Sequence, residues 1–211
     1  MSDKENNFKE QFQQALVSTA RAISDNYKIN IKNIDKKLSS KENNFFEIDK
    51  LSNKNDFIRL RAESDSSALK KKFSNKSIYN KNLPKNASCK SLYNIAEKIR
   101  YELLGGKMLK GIEKNLRENY YQKFDLKLKD NLKEKEDVPV SEAFEIYMLK
   151  KFFNLKPNLS ASKTLKFWEK DFNNSLEEHI DFLNKNLENQ ENYSSKFSEI
   201  LEKMDIFESE N

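Results

Sequence analysis

Apolar residues recur at three- and four-residue spacing along most of this chain. Phe8, Phe12, Ala15, Leu16, Thr19 and Ile23 share one face of a helix over residues 6–24. Tyr27, Ile29 and Ile31 then alternate with polar residues, which predicts a short strand, and Phe45-Phe46-Glu47-Ile48 supplies a partner for it. Helical spacing returns over 56–73 through Phe57, Leu60, Ala68, Leu69 and Phe73. Beyond Pro84, the positions Leu92, Ile95, Ala96, Ile99 and Leu103 form a stripe at i, i+3, i+4 and i+7. A second stripe begins at Leu109, Ile112, Leu116 and Tyr120.

Residues 122–137 are charged and carry few apolar anchors, so they read as a connector. Pro139 opens a helix over roughly 140–154, and Pro157 follows it. Three more helices are anchored by Leu165, Phe167 and Trp168, by Leu176, Ile180, Leu183 and Leu187, and by Phe197, Ile200, Leu201 and Met204. The expected fold is therefore mainly α, an amphipathic helical domain with one small N-terminal β-hairpin. Its expected organisation is an N-terminal α domain with the hairpin (1–121), a charged connector (122–138), a helical C-terminal portion packing on that domain (139–206), and a frayed acidic tail (207–211).

Charge adds an asymmetry. Of 39 Lys and Arg and 34 Asp and Glu, residues 171–211 hold eleven acids and three lysines, which leaves 36 cations against 23 acids in residues 1–170. A basic body with an acidic end suits contact with proteins and keeps open a competing class, a basic nucleic-acid-binding or general adaptor protein. Asparagine and lysine are so abundant, however, that basicity alone is weak evidence for nucleic acid. No apolar run approaches the ~18 residues of a membrane span. With no signal-peptide core after Met1 and one cysteine, Cys89, a cytoplasmic protein is expected.

All three glycines, Gly105, Gly106 and Gly111, fall in "LLGGKMLKG". A phosphate loop would need G-x-x-x-x-G-K-[ST] after a strand. Here Tyr101 replaces the first glycine, Met108 the hydroxyl residue, and a helix precedes the segment. The glycine pair is instead expected to cap one helix and turn the chain into the next, with Gly111 permitting close helix packing. Asp65-Ser66-Ser67-Ala68-Leu69 approaches the cation-binding pattern D-x-S-x-S but ends in leucine, and reads as an exposed polar helical turn. Cys89 and the single His179 form no recognisable dyad, and too few His and Cys are present for a zinc site. Lys70-Lys71-Lys72 reads as a solvated face. No catalytic, cofactor-binding or metal-ligating residue is predicted.

The segment "IRYELLGGKMLKGIEKNL" resembles a stretch of the cobaltochelatase subunit family CobT, of the form R-x-E-x-x-G-x-R followed by a second glycine and an N-L pair. Arg100, Glu102, Gly105, Lys107 (for the usual Arg), Gly111, Asn115 and Leu116 match in order. "FKEQFQQALVSTARAIS" is similar to the family's opening helix through Ala15, Leu16, Arg21, Ala22 and Ile23, and "RLRAESDSSAL" to a further segment through Arg61, Asp65, Ala68 and Leu69. "TLKFWEKDF" stands where the family has a helix with a conspicuous tryptophan. Ser74 and Tyr79 occupy positions where the family has histidines. The resemblance covers the family's N-terminal region, without its acidic linker and von Willebrand A-type domain.

It implies a non-catalytic subunit that pairs with an AAA+ ATPase subunit, CobS, and helps the large subunit, CobN, insert cobalt into hydrogenobyrinic acid a,c-diamide. ATP, magnesium and cobalt would then be handled by partner subunits and none bound by this chain. Arg100, Lys107 and Lys110, around the glycines, are the candidate partner contacts.

Overall fold

A computed structural model describes residues 3–28, 53–126, 132 and 134–204. Ten α-helices lie among them: α1 (Asp3–Ser24), α2 (Lys54–Phe73), α3 (Lys76–Lys81), α4 (Ala87–Met108), α5 (Lys110–Leu126), α6 (Val140–Phe152), α7 (Leu159–Lys166), α8 (Glu169–Leu176), α9 (Ile180–Lys185) and α10 (Gln190–Glu202). Asparagine starts five of them. The side chains of Asn53, Asn75, Asn86, Asn158 and Asn189 each accept from backbone N–H groups of the following turn. Those N–H groups have no partner within the helix, so the cap satisfies donors that would otherwise need water. The abundance of asparagine thus has a structural use.

Helix α4 is the axis of the fold, packing against α2, α5, α6 and α10. Leu92, Tyr93, Ala96, Ile99 and Leu104 are buried around its circumference. Helix α1 lies on α2, where the Phe57 ring meets those of Phe8 and Phe12 edge-on at 5.5 and 4.9 Å. On the far side, Phe144 of α6 meets Phe172 of α8 at 5.4 Å and Phe197 of α10 at 6.2 Å. One apolar core runs from Ala20 of α1 to Met204 after α10. Helix α10 runs antiparallel to α4: the Tyr193 hydroxyl donates to the Ala96 carbonyl, and near the other end Cys89 Sγ meets the Leu201 carbonyl.

The mainly α expectation holds, and the hairpin is corrected. The described residues contain no strand, and Tyr27, where the first strand was placed, sits exposed in a turn after α1. Residues 29–31 and 45–48 lie outside the described residues. Helical propensity and a capping box at Asn53 begin α2 directly, with Asp56 accepting back from the Asn53 N–H. Of the charged stretch 122–138, residues through Leu126 continue α5. Its other end is pinned by Trp168, whose indole N–H donates to the Val138 carbonyl while Lys135 stands 4.1 Å above the ring. The expected frayed tail, 207–211, also lies outside the described residues.

The glycines do not cap. Gly105 and Gly106 are helical and buried in the last turns of α4. The chain turns at Leu109, one extended residue (φ −141°, ψ 117°) whose N–H still donates to the Gly105 carbonyl. Its own carbonyl accepts from Ile112 and Glu113 at the start of α5. Gly105 is glycine because α2 crosses there: a Cβ would stand 2.4 Å from both Leu69 methyls. Gly111 meets nothing within 4 Å of a built Cβ, so the expected close packing at that position is corrected too.

Alanine at these two positions should therefore act in opposite directions. Leu69 is fully buried and cannot give way. Gly105→Ala is expected to lower stability by about 1–2 kcal/mol, overpacking outweighing the gain in helix propensity. Gly111→Ala is expected to raise it by about 0.5 kcal/mol. Urea unfolding midpoints measure both, and stabilisation by Gly105→Ala would refute the close crossing.

Candidate functional site

The motif segment on α4 carries two charged clusters on opposite faces. Glu97 and Arg100, one turn apart, are both buried, Arg100 with 1% of its surface exposed. Arg100 Nη2 donates to the Phe73 carbonyl (2.7 Å), Nη1 donates to the Leu187 carbonyl (3.1 Å), and Nε and Nη2 reach Glu97 Oε2 at 3.4 and 3.3 Å. Glu97 also accepts from Ser194 Oγ at 2.6 Å and Gln190 Nε2 at 3.0 Å. Gln190 Oε1 in turn accepts from the Asn75 N–H at 2.7 Å. One ion pair thus ties the end of α2, the cap of α3, the approach to α10 and α10 itself to the central helix. A buried charge pair is tolerable only when its remaining polar atoms find partners, and here every nitrogen and oxygen of the two side chains has one.

On the other face, Glu102 accepts from Ser66 of α2 and Tyr120 of α5, both at 2.5 Å. Lys98 lies 3.8 Å from Glu102 and 3.7 Å from Glu145 of α6. Lys98 and Lys123 both approach the Tyr120 ring, at 5.2 and 5.4 Å from its centre. Burial works against the charge of Lys98, but its pKa is raised, with Glu102 and then Glu145 foremost among the neighbours that favour the charged form. Asp65 of α2 accepts from Asn115 of α5 at 2.8 Å. Burial raises its pKa against the opposing effects of Asn115 and Arg61. The expected exposed turn at Asp65 and Ser66 is therefore corrected: both are buried and bind the neighbouring helices.

The motif residues accordingly divide by position. Arg100, Glu102, Gly105 and Asn115 hold helices together, whereas Lys107, Lys110 and Gly111 are exposed. The three expected docking cations divide likewise: the Arg100 guanidinium is enclosed, while Lys107 and Lys110 have no ion-pair partner among the described residues. Sequence reasoning missed Glu97, Lys98, Tyr120, Gln190 and Ser194. The signal for the first was its i, i+3 spacing to Arg100 between buried positions of the stripe.

Two openings lie beside this framework. A wide groove of about 730 Å³ runs between the α2–α3 junction and the start of α10, lined by residues including Phe73, Asn75, Ile78 and Gln190. A smaller pocket of about 150 Å³ sits under the α4–α5 corner, lined by the apolar Leu103, Phe152 and Phe153 and by the charged Lys107, Glu113 and Arg117. Met108 and Leu109, on the corner itself, are 40% and 50% exposed. Among the described residues no group of three or more His, Cys, Asp or Glu could hold a metal ion, and no helix is long and apolar enough to cross a membrane.

The family model described as "Cobalamin biosynthesis protein CobT" matches residues 6–211 of the chain. No solved structure matches it.

Removing the guanidinium should strand Glu97. Arg100→Met is expected to cost about 3–5 kcal/mol in urea unfolding, the range for a buried carboxylate left alone. Adding Glu97→Gln should recover part of that loss, and no recovery would mean that the pair is not the reason for the cost.

The tyrosines set the alkaline limit. Burial raises the pKa of Tyr93, Tyr101, Tyr120, Tyr147 and Tyr193 above the ordinary 10.0. The unfolded chain loses these protons near pH 10 and the folded chain retains them, so their contribution is intact below that pH and is lost above it. Stability should fall steeply above about pH 10, with tyrosinate absorbance rising together with unfolding. Smooth ionisation of all eight tyrosines in a folded chain would contradict this burial.

Proposed function

The chain belongs to the CobT family of cobalamin biosynthesis proteins, cobaltochelatase subunits, and from that membership we propose that it is a non-catalytic subunit of the ATP-dependent cobaltochelatase. In this reading it works in the cytoplasm, docks with the AAA+ ATPase subunit and assists the large subunit as cobalt enters hydrogenobyrinic acid a,c-diamide. Cobalt and ATP are substrates handled by those partners.

The family match over nearly the whole chain carries the proposal. The structure supports it through what the motif residues do. Arg100 and Glu102 bind groups of neighbouring segments and Asn115 donates to Asp65 of α2, which suits a framework that presents a surface rather than one that performs chemistry.

The distribution of ion pairs weakens the nucleic-acid alternative. Lys81 pairs with Glu191, Lys135 with Asp171, Lys150 with Glu169 and Lys151 with Glu177, at 2.6–2.9 Å. Exposed pairs of this kind add little stability. Three of them, those of Glu191, Asp171 and Glu177, set acids of residues 171–211 against the body's positive charge, reducing the field that would draw in phosphates.

Co-expression of the chain with the ATPase and large subunits tests the proposal. The chain is expected to retain the ATPase subunit through affinity purification at physiological salt, and cobalt insertion by the reconstituted complex should depend on it. A folded chain that retains neither subunit would overturn this reading. Nucleic-acid binding whose log affinity falls steeply with log salt would favour the alternative.

A further inference from the structure

The pocket under the α4–α5 corner has features of a docking point that the framework itself does not need. Its walls, Leu103, Phe152 and Phe153, are apolar, and two of the three are aromatic. Its volume, about 150 Å³, is enough for one benzene ring, and Lys107, Glu113, Arg117 and Asn154 complete a lining that is polar as well as apolar. Asn154 closes one side in a left-handed conformation (φ 52°) that ends α6, the Leu155 N–H donating to the Leu149 carbonyl. Gly106 forms another wall, where a Cβ would come within 3.3 Å of the Glu113 side chain. The pocket is thus bounded by helix ends held in place on both sides.

The corner has a definite sign. Residues 107–118 hold four cations and two carboxylates. Glu113 is occupied by Arg117 at 2.8 Å and Glu118 faces Lys114 at 3.9 Å, while Lys107 and Lys110 have no such partner among the described residues. Met108 and Leu109, between those two lysines in the chain, are exposed apolar residues.

We propose that this pocket receives the phenyl ring of one phenylalanine from an acidic segment of a partner protein, with Lys107 and Lys110 pairing with the carboxylates that flank it. The ring fills the apolar space beside Phe152 and Phe153, and the Lys107 and Arg117 cations of the lining lie where they can approach its face. The charges steer and orient the segment, and the buried ring holds it. This inference rests on the docking role given above and names the chemistry of the surface that serves it.

The probe is a fluorescein-labelled peptide with one phenylalanine flanked on each side by two glutamates, titrated with the full chain and followed by anisotropy. Binding is expected to weaken as salt rises. Replacing the phenylalanine of the peptide with alanine should weaken it by about tenfold or more, and flanking lysines should abolish it. Lys107→Glu/Lys110→Glu should also reduce affinity by about tenfold or more while the chain keeps its helical circular dichroism. Leu103→Trp, which fills the pocket, should block the ring; should that variant not fold, the alanine peptide against wild-type chain makes the same comparison. Equal binding of the phenylalanine and alanine peptides, or undiminished binding by the folded double-lysine variant, would overturn the proposal. The ATPase pull-down separates the two claims. Wild type that fails to retain the ATPase subunit counts against the docking role, whereas wild type and Lys107→Glu/Lys110→Glu that retain it equally count against this pocket as the place.

Discussion

The architecture depends on the enclosed pair Glu97–Arg100. Neither charge could be taken from water alone, and together they still leave donors and acceptors that must be filled. Filling them requires the carbonyls of Phe73 and Leu187 and the side chains of Gln190 and Ser194 to converge on one turn of α4. Convergence of that kind is more demanding than hydrophobic contact, which accepts many packings of similar volume. The apolar core supplies the drive to collapse, and the ion pair selects one arrangement of α2, α3 and α10 about the central helix.

Helix α4 is for this reason polar on two buried sides at once. Glu102, on the face away from the Arg100 cluster, binds α2 and α5 through Ser66 and Tyr120, and Lys98 extends the contact to Glu145 of α6. Every helix that packs against α4 therefore meets it through at least one polar group as well as through apolar surface; for α10 these include the Tyr193 hydroxyl. An apolar core organised around one helix leaves side chains at its outer corners exposed, as at Lys107, Met108, Leu109 and Lys110 of the α4–α5 turn.

Much of the helical plan was legible because apolar stripes at 3.6-residue spacing follow directly from burying one face, as in residues 92–103 and 197–204. The failures have physical causes. Alternation over only three apolar positions, Tyr27, Ile29 and Ile31, is a weak strand signal even with Phe45–Ile48 as its expected partner; Tyr27 lies in an exposed turn, and the described residues hold no strand. Glycine usage suggested a cap, but glycine serves close approach as well as left-handed turns, and a single sequence does not distinguish Gly105 against Leu69 from a C-terminal cap. Arg100 was expected to meet a partner protein because the groups that enclose it and Glu97, among them Gln190 and Ser194, lie ninety residues or more along the chain. The motif of Arg100, Glu102 and Asn115 was visible as a pattern while its role as internal scaffolding was not.

The asparagine caps have a consequence for how the fold meets its surroundings. A carboxylate cap is an acid, so it weakens on protonation and is screened by salt. The amide caps at Asn75, Asn86, Asn158 and Asn189 carry no charge and bind the same backbone groups across the pH range and at any ionic strength. Only α2 departs from this, since its capping box relies in part on Asp56. The starts of the other four helices are in this sense chemically silent. Acidity and electrolyte therefore reach the chain through its ion pairs and, at alkaline pH, through its buried tyrosines, and not through the starts of these four helices.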